Sequence, residues 1–403
     1  MTVELSPAPT SHALFDALRP QSPDSLLALI GLYRADSRPQ KLDLGVGVYR
    51  DATGATPVMR AVKAAEAALV RDQPTKAYIG PEGDQRYTDL LAQIVLGPAL
   101  AASDRITGVQ TPGGTGALRL GADLLAVSGM KGRVWIGTPT WPNHAPIFAA
   151  AGLTVAPHAY YNNATASLDF AAMMADLAAA TAGDVLLLHG CCHNPTGTGY
   201  SPAEWRTLAE MCAARGILPF IDLAYQGLGD GLEADAAGLR LIIDTVPEAL
   251  VAYSCDKNFG LYRERVGALW ALSTTQRASE AVRGNLLVLA RSLWSMPPDH
   301  GAAVVRIILE NPDLAAIWHT ELDEMRVRIC DLRTDLAAAE PRLAPLARQR
   351  GLFAMLPIDR AAVASLRTEN SIYMADSGRI NIAGLRLETI PAFVEALSRF
   401  LPE

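Results

Sequence analysis

Short, almost wholly apolar runs alternate along this chain with longer segments whose apolar residues recur at helical spacing. Leu153-Thr154-Val155, Val185-Leu186-Leu187-Leu188, Ile217 to Ile221 and Leu250-Val251-Ala252-Tyr253 read as buried strands, with Arg133-Val134-Trp135-Ile136-Gly137 as another. Val58 to Val70, Ala117 to Leu125, Pro202 to Ala214 and Arg283 to Arg291 carry the helical pattern between them, and Leu239 to Leu241 continues the alternation. Such alternation predicts an α/β chain with a mostly parallel central sheet and helices on both faces. Leu314 to Ala338 is a long amphipathic helix leading to a smaller α/β domain at the carboxy terminus. Residues 11 to 40 read as an arm and helix, with Phe15, Leu18, Leu26, Leu27, Leu29, Ile30 and Leu32 offering apolar contacts.

The polar residues cluster where these strands end. Ser254-Cys255-Asp256-Lys257 follows the 250s strand, at the carboxyl edge where open α/β sheets place ligands. An amine held there between apolar segments loses its proton readily enough to form a Schiff base. Taken alone, Lys257 reads as easily as a solvent-facing lysine. Upstream, His189-Gly190-Cys191-Cys192-His193-Asn194-Pro195-Thr196-Gly197 follows one strand, and Ile221-Asp222-Leu223-Ala224-Tyr225 closes another. Asn194 and Tyr225 offer hydrogen-bond donors and Asp222 a carboxylate, which suits the phenolic oxygen and ring nitrogen of a pyridine cofactor. Thr111-Pro112-Gly113-Gly114-Thr115-Gly116 enters the helix from Ala117 and offers N–H groups at a positive helix end, a cradle for phosphate. Neither a Walker A lysine motif nor a dinucleotide glycine fingerprint is present.

As a set, Ser254-x-x-Lys257-Asn-Phe-Gly-Leu-Tyr-x-Glu-Arg265-Val-Gly, the Asn194-Pro-Thr-Gly block and Asp222-x-x-Tyr225 resemble the fold-type I pyridoxal-phosphate aminotransferases. The similar subgroup contains the aspartate and aromatic-amino-acid aminotransferases, and the resemblance runs from about Phe15 to the carboxy terminus. It implies pyridoxal 5'-phosphate on Lys257, with Asp222 at the ring nitrogen, Asn194 and Tyr225 at the phenolic oxygen, and Trp141 against the ring. Gly114, Thr115, Ser254 and Arg265 are implied at the phosphate, joined by Tyr78 from the neighbouring subunit of a homodimer. Val46, Gly47, Trp141 and Asn194 are implied to border the substrate, Arg379 to bind its α-carboxylate, and Arg291 to reach a distal carboxylate across the dimer. The implied division is 1–47 as arm and part of the small domain, 48–300 as the large cofactor-binding domain, and 301–403 as linking helix and small domain.

Four positions depart from the family pattern. Gly113 and Asp256 stand where serine is common, Pro142 where an acidic residue is, and Met296 where asparagine is. A carboxylate at 256 is expected to favour the protonated form of Lys257. The His189 to Gly197 block and Gly113 resemble the aromatic enzymes in particular. The implied reaction is therefore transamination between tyrosine or phenylalanine, with aspartate as well, and 2-oxoglutarate, giving the 2-oxo acid and glutamate. Aspartate aminotransferase is the alternative; a lyase, a decarboxylase or a binding protein using the same cofactor ranks below both, because paired arginines suit amino and oxo dicarboxylates.

Composition narrows the setting. A chain of 403 residues suggests about two domains, and no segment has the length and uniform hydrophobicity of a membrane span. The start, Met1-Thr2-Val3-Glu4-Leu5-Ser6-Pro7, lacks a basic and apolar leader, so a cytoplasmic protein is expected. Five cysteines without zinc-ligand spacing read as free thiols, His189 and His193 as hydrogen-bonding residues rather than metal ligands. A net charge of -7 gives no general attraction to nucleic acid or to an anionic membrane.

Overall fold

Seven strands form the central sheet of the computed structural model, which describes Phe15, residues 18–20 and residues 25–402. They are β1 (Ile106–Pro112), β2 (Arg133–Thr138), β3 (Thr154–Ala159), β4 (Val185–His189), β5 (Leu218–Leu223), β6 (Ala249–Ser254) and β7 (Val266–Leu272). Their order is β1-β7-β6-β5-β4-β2-β3. β7 is antiparallel to both its neighbours, and every other pairing is parallel.

β4, β6 and β7 are buried along their whole length, as strands covered on both faces must be. The pleat then sorts one apolar run into two cores. Val185 and Leu187 pack with Leu118, Phe148 and Phe220, whereas Leu186 and Leu188 pack with Ile221, Tyr253 and Trp270 on the opposite face.

Three details differ from the sequence reading. The helix after β1 spans Gly113–Val127, starting at Gly113 rather than Ala117, because Gly113 turns directly off the strand at φ +70°. Leu239 to Leu241 belong to the helix Leu232–Thr245, whose buried face includes Leu239, Ile242 and Ile243. Phe15 and Leu18, expected to make apolar contacts, are 79% and 70% exposed, while Leu29 is buried. The side chains of Leu26 and Leu27 lie outside the described residues.

The two ends of the described chain meet. Leu42–Asp43 pairs in parallel with Ile372–Tyr373, and Arg379–Asn381 pairs antiparallel with Phe353–Met355. Asn381 Nδ2 donates to the carbonyls of Val46 and Val48, both at 2.7 Å, which fixes the irregular segment after Asp43 beside the sheet's edge residues. The helix Pro312–Ala339, with 28 residues, spans about 42 Å at 1.5 Å per residue. It buries Trp318, Leu322, Met325, Ile329, Leu332 and Leu336, a stripe spaced by three and four. Its buried Arg333 donates to the carbonyls of Gly351 and Phe353, at 2.8 and 2.6 Å, and so anchors the strand that pairs with Arg379. Among the described residues no helix is long and apolar enough to cross a membrane. All five cysteines are free thiols.

Candidate active site

The parallel strands end together, and their register builds the site. His189 at the end of β4 lies beside Asp222 on β5, and Leu223 lies beside Tyr253 on β6. Ser254 closes β6, and the chain then turns through Lys257 before returning as β7. Gly47, Gly114, Thr115, Trp141, Asn194, Asp222, Tyr225, Ser254, Lys257 and Arg265 line one cavity of about 270 Å³. Arg379 approaches from the carboxy-terminal part, donating to Asn194 Oδ1 at 3.4 Å and to the Gly45 carbonyl at 3.1 Å. Val46 is held next to it through Asn381.

Two predicted residues are not brought to this cavity. Tyr78 is 91% exposed. Arg291 is exposed near the end of the helix Gln276–Leu293 and donates to Ser295 Oγ.

The lysine turn is clamped from behind. Asn258 Nδ2 donates to Tyr253 Oη at 2.7 Å, Trp318 Nε1 donates to the Asn258 carbonyl at 2.8 Å, and the Phe259 and Trp318 rings stack at 4.3 Å. Burial pushes the Lys257 ammonium below its ordinary value, with Arg265 acting in the same direction; Asp256 and Asp222 pull it back up without cancelling the effect. The expectation that Asp256 would favour a protonated lysine is thus half met. Its charge acts as expected, but desolvation outweighs it, and the amine is the more available as a nucleophile.

Asp222 has a partner that the sequence did not single out. Its Oδ2 lies 3.0 Å from His144 Nε2, and His144 Nδ1 lies 2.8 Å from Thr140 Oγ1. Burial disfavours the Asp222 carboxylate, yet the His144 hydrogen bond, helped by the neighbouring imidazoles and by Lys257, outweighs it and holds the group below the usual range. A buried carboxylate kept ionised in this way suits a protonated ring nitrogen. His144 also meets the Trp141 indole edge to face at 5.2 Å. The available signal was proximity, since His144 stands three residues after Trp141, across a turn closed by its N–H to the Trp141 carbonyl at 3.0 Å. Of the two histidines expected to hydrogen-bond, His193 does so, its Nδ1 meeting Thr196 Oγ1 at 2.9 Å while its ring stacks on Tyr160 at 3.8 Å; His189 instead packs edge to face on His144 and His193, with its buried Nε2 unpartnered. Tyr262, inside the lysine motif, accepts the Tyr49 N–H at 2.8 Å and ties the 42–49 segment to the turn.

At the phenolic side, Asn194 Nδ2 donates to Tyr225 Oη at 3.4 Å. Burial raises the Tyr225 phenol well above its ordinary value, so it remains a proton donor. At the opposite end, the helix Gly113–Val127 has no side-chain cap on its first N–H groups. Ser254, Thr115 and Arg265 surround that helix start. A Cβ at Gly114 would stand 3.1 Å from Ser254 Cβ, and one at Gly113 would stand 2.7 Å from Arg265 Nη2. Uncapped N–H groups, two hydroxyls and a guanidinium, kept open by two glycines, match a phosphate dianion. The donor set as a whole therefore fits pyridoxal 5'-phosphate.

The model of the family described as aminotransferase class I and II matches residues 39–397. The chain belongs to this family. It is an aminotransferase, and its cofactor is pyridoxal 5'-phosphate. A tyrosine aminotransferase from Rhizobium meliloti is 54% identical over 93% of this chain and 96% of its own length. An aromatic-amino-acid aminotransferase from Paracoccus denitrificans is 45% identical over 94% of this chain and 98% of its own. The structure of an aromatic-amino-acid aminotransferase from Burkholderia pseudomallei, covalently bound to pyridoxal phosphate, superposes with a TM-score of 0.94 at 37% identity, covering 97% of this chain and all of that one (100%). Bacterial aspartate aminotransferases match this aminotransferase over similar lengths at lower identity.

Proposed function

We propose that this aminotransferase moves the amino group of tyrosine or phenylalanine, and also of aspartate, to 2-oxoglutarate, yielding the 2-oxo acid and glutamate. The observation that carries the reading is Arg379, delivered from the far end of the chain to Asn194 at the cavity that holds Lys257 and Asp222. Its planar fork suits an α-carboxylate, and its buried Nε still lacks a partner. Bound pyridoxal 5'-phosphate supplies an aldehyde for the amino group and a protonated ring that withdraws electrons from the substrate α-carbon. Lys257 Nζ holds that aldehyde and then moves the proton taken from the α-carbon. Asp222, backed by His144, keeps the ring nitrogen protonated; Asn194 and Tyr225 donate to the phenolic oxygen; Gly114, Thr115, Ser254 and Arg265 bind the phosphate; Trp141 holds the ring plane.

The aromatic preference rests on the tyrosine and aromatic-amino-acid relatives and on the state of Arg291. That guanidinium already has a polar partner in Ser295, so when it turns away from a bound aromatic side chain its charge is not left unpaired. Turned inward, Arg291 suits the distal carboxylate of glutamate or aspartate. We further propose a homodimer in which Tyr78 and Arg291 serve the partner's cavity. Exposed Tyr78, and Val288 and Leu293 on the helix of Arg291, support it. In that assembly residues 48–300 form the large domain, 1–47 supply the arm and part of the small domain, and 301–403 supply the linking helix and the rest of the small domain.

Measuring kcat/KM for tyrosine, phenylalanine and aspartate with 2-oxoglutarate tests the substrate reading. Efficient turnover of all three is expected, and negligible turnover of both aromatic donors overturns it in favour of aspartate aminotransferase. Lys257→Ala is expected to lose the visible absorbance of the lysine-bound cofactor and to slow turnover by on the order of 10⁴-fold. Sedimentation of a fully active monomer would refute the shared sites.

A further inference from the structure

The phosphate end of the cavity contains an anion of its own. Asp256 Oδ2 lies 2.5 Å from Arg265 Nη1 and 3.9 Å from Lys257 Nζ. The Asp256 side chain is 6% exposed, whereas that of Arg265 is 41% exposed. The backbone holds the carboxylate in place: Asp256 N–H donates to Ser254 Oγ at 3.2 Å, engaging the hydroxyl that also faces the cradle. Its other oxygen, Oδ1, is buried without a partner. Arg265 is equally constrained, at φ +56°, with Nη1 also donating to the Tyr262 carbonyl at 3.2 Å. Nη2 faces Gly113, where a Cβ would stand only 2.7 Å away. One guanidinium is thus already paired with a fixed carboxylate at the point where a phosphate must bind.

We propose that Asp256 sets the strength of cofactor retention by sharing Arg265 with the phosphate of pyridoxal 5'-phosphate. Two anions divide one cation in a partly desolvated site, so each weakens the other's hold on it. Lys257 cannot neutralise both at once, because it serves the opposite end of the cofactor and loses its own charge there. While the cofactor is bound covalently to Lys257 the weakening is hidden. It emerges when the cofactor is in its amine form, pyridoxamine 5'-phosphate, which the lysine no longer holds, so that the phosphate cradle carries a larger share of its retention. Asp256 therefore makes this aminotransferase one that exchanges its cofactor midway through its cycle, and an uncharged residue at 256 makes it retentive. The inference rests on the proposed roles of Lys257 and Arg265.

The test is cofactor release from the loaded enzyme. The holoenzyme is converted to the amine form with an amino donor, gel-filtered and diluted, and release of pyridoxamine 5'-phosphate is followed by its fluorescence, with and without added inorganic phosphate. Asp256→Asn, which keeps the shape, and Asp256→Ser, which removes it, are expected to release about ten-fold more slowly than the unaltered enzyme. Inorganic phosphate is expected to bind the emptied cradle more tightly in both variants, because the freed arginine binds either phosphate better. Release from both variants at the unaltered rate or faster overturns the inference and makes Asp256 a support for Arg265. A purified enzyme that takes up no pyridoxal 5'-phosphate when supplied with it would instead refute the cofactor roles on which it rests.

Discussion

His144 Nε2 sits 3.0 Å from Asp222 Oδ2, and the imidazole's other nitrogen is 2.8 Å from Thr140 Oγ1. An ionised carboxylate only accepts, so Nε2 carries the proton shared with Asp222, and Nδ1 pairs with the threonine hydroxyl. The chain Thr140–His144–Asp222 thereby orients a buried carboxylate toward the cavity. His144 is a positioning residue that acts through Asp222.

Removing that hydrogen bond exposes the effect it opposes. In His144→Ala, burial is expected to carry Asp222 upward, and the acid limb of the kcat profile to move to higher pH. Loss of one charge-assisted hydrogen bond, about 1.5–3 kcal/mol, corresponds to a roughly ten- to hundred-fold lower kcat. An unchanged pH profile would mean that His144 merely fills space.

Arg379 combines its contacts to Asn194 and Gly45 with a position 4.4 Å above the Phe353 ring. Lysine keeps the charge but neither the planar fork nor the stacking. Arg379→Lys is expected to lower kcat/KM for every amino donor by about 10²-fold, with the cofactor absorbance unchanged. Wild-type kcat/KM in the variant would remove Arg379 from the substrate site.

His189 couples the site to acid stability. Burial first, and then the neighbouring His144 imidazole, depress its imidazole to about 3 from the ordinary 6.5, against the pull of Asp222. The folded chain therefore refuses a proton that the unfolded chain accepts between those values. Stability is full above about pH 6.5 and is lost as pH falls toward 3, by at most about 1.4 kcal/mol per pH unit from this group. Chemical unfolding at pH 7 and pH 5 is expected to show a smaller loss for His189→Asn than for the unaltered protein, and equal losses would contradict the assignment.

Trp318 ties the linking helix to the lysine turn through its stack on Phe259 and its bond to the Asn258 carbonyl. Trp318→Ala is expected to cost about 3–5 kcal/mol of stability, the usual range for emptying an aromatic core position. Cofactor absorbance should weaken in parallel, because the turn carrying Lys257 loses its backing. A destabilised variant with wild-type absorbance would show that Asn258 alone holds the turn.

Local chemistry explains why so much was legible from the chain alone. The runs at Val185 and Leu250 are short and uniformly apolar, as strands covered on both faces are, and polar residues following such strands fall at one edge of a sheet. Glycines at 113 and 114 before a helical pattern announce an approachable helix start. Lys257, Asp222, Asn194, Tyr225, Ser254 and Arg265 were readable for these reasons and through family-like spacing. Other features depend on atoms that meet only when the fold closes. No spacing rule places His144 against Asp222 78 residues away, or brings Asn381 to the Val46 carbonyl across 335. The same holds for charge. Asp256 beside Lys257 promises a protonated amine in sequence, but the cavity walls set the desolvation, and Arg265, folded back from β7, takes the carboxylate. Sequence determined which groups stand at the strand ends; burial and long-range pairing, which are properties of the closed structure, decided their charge and their partners.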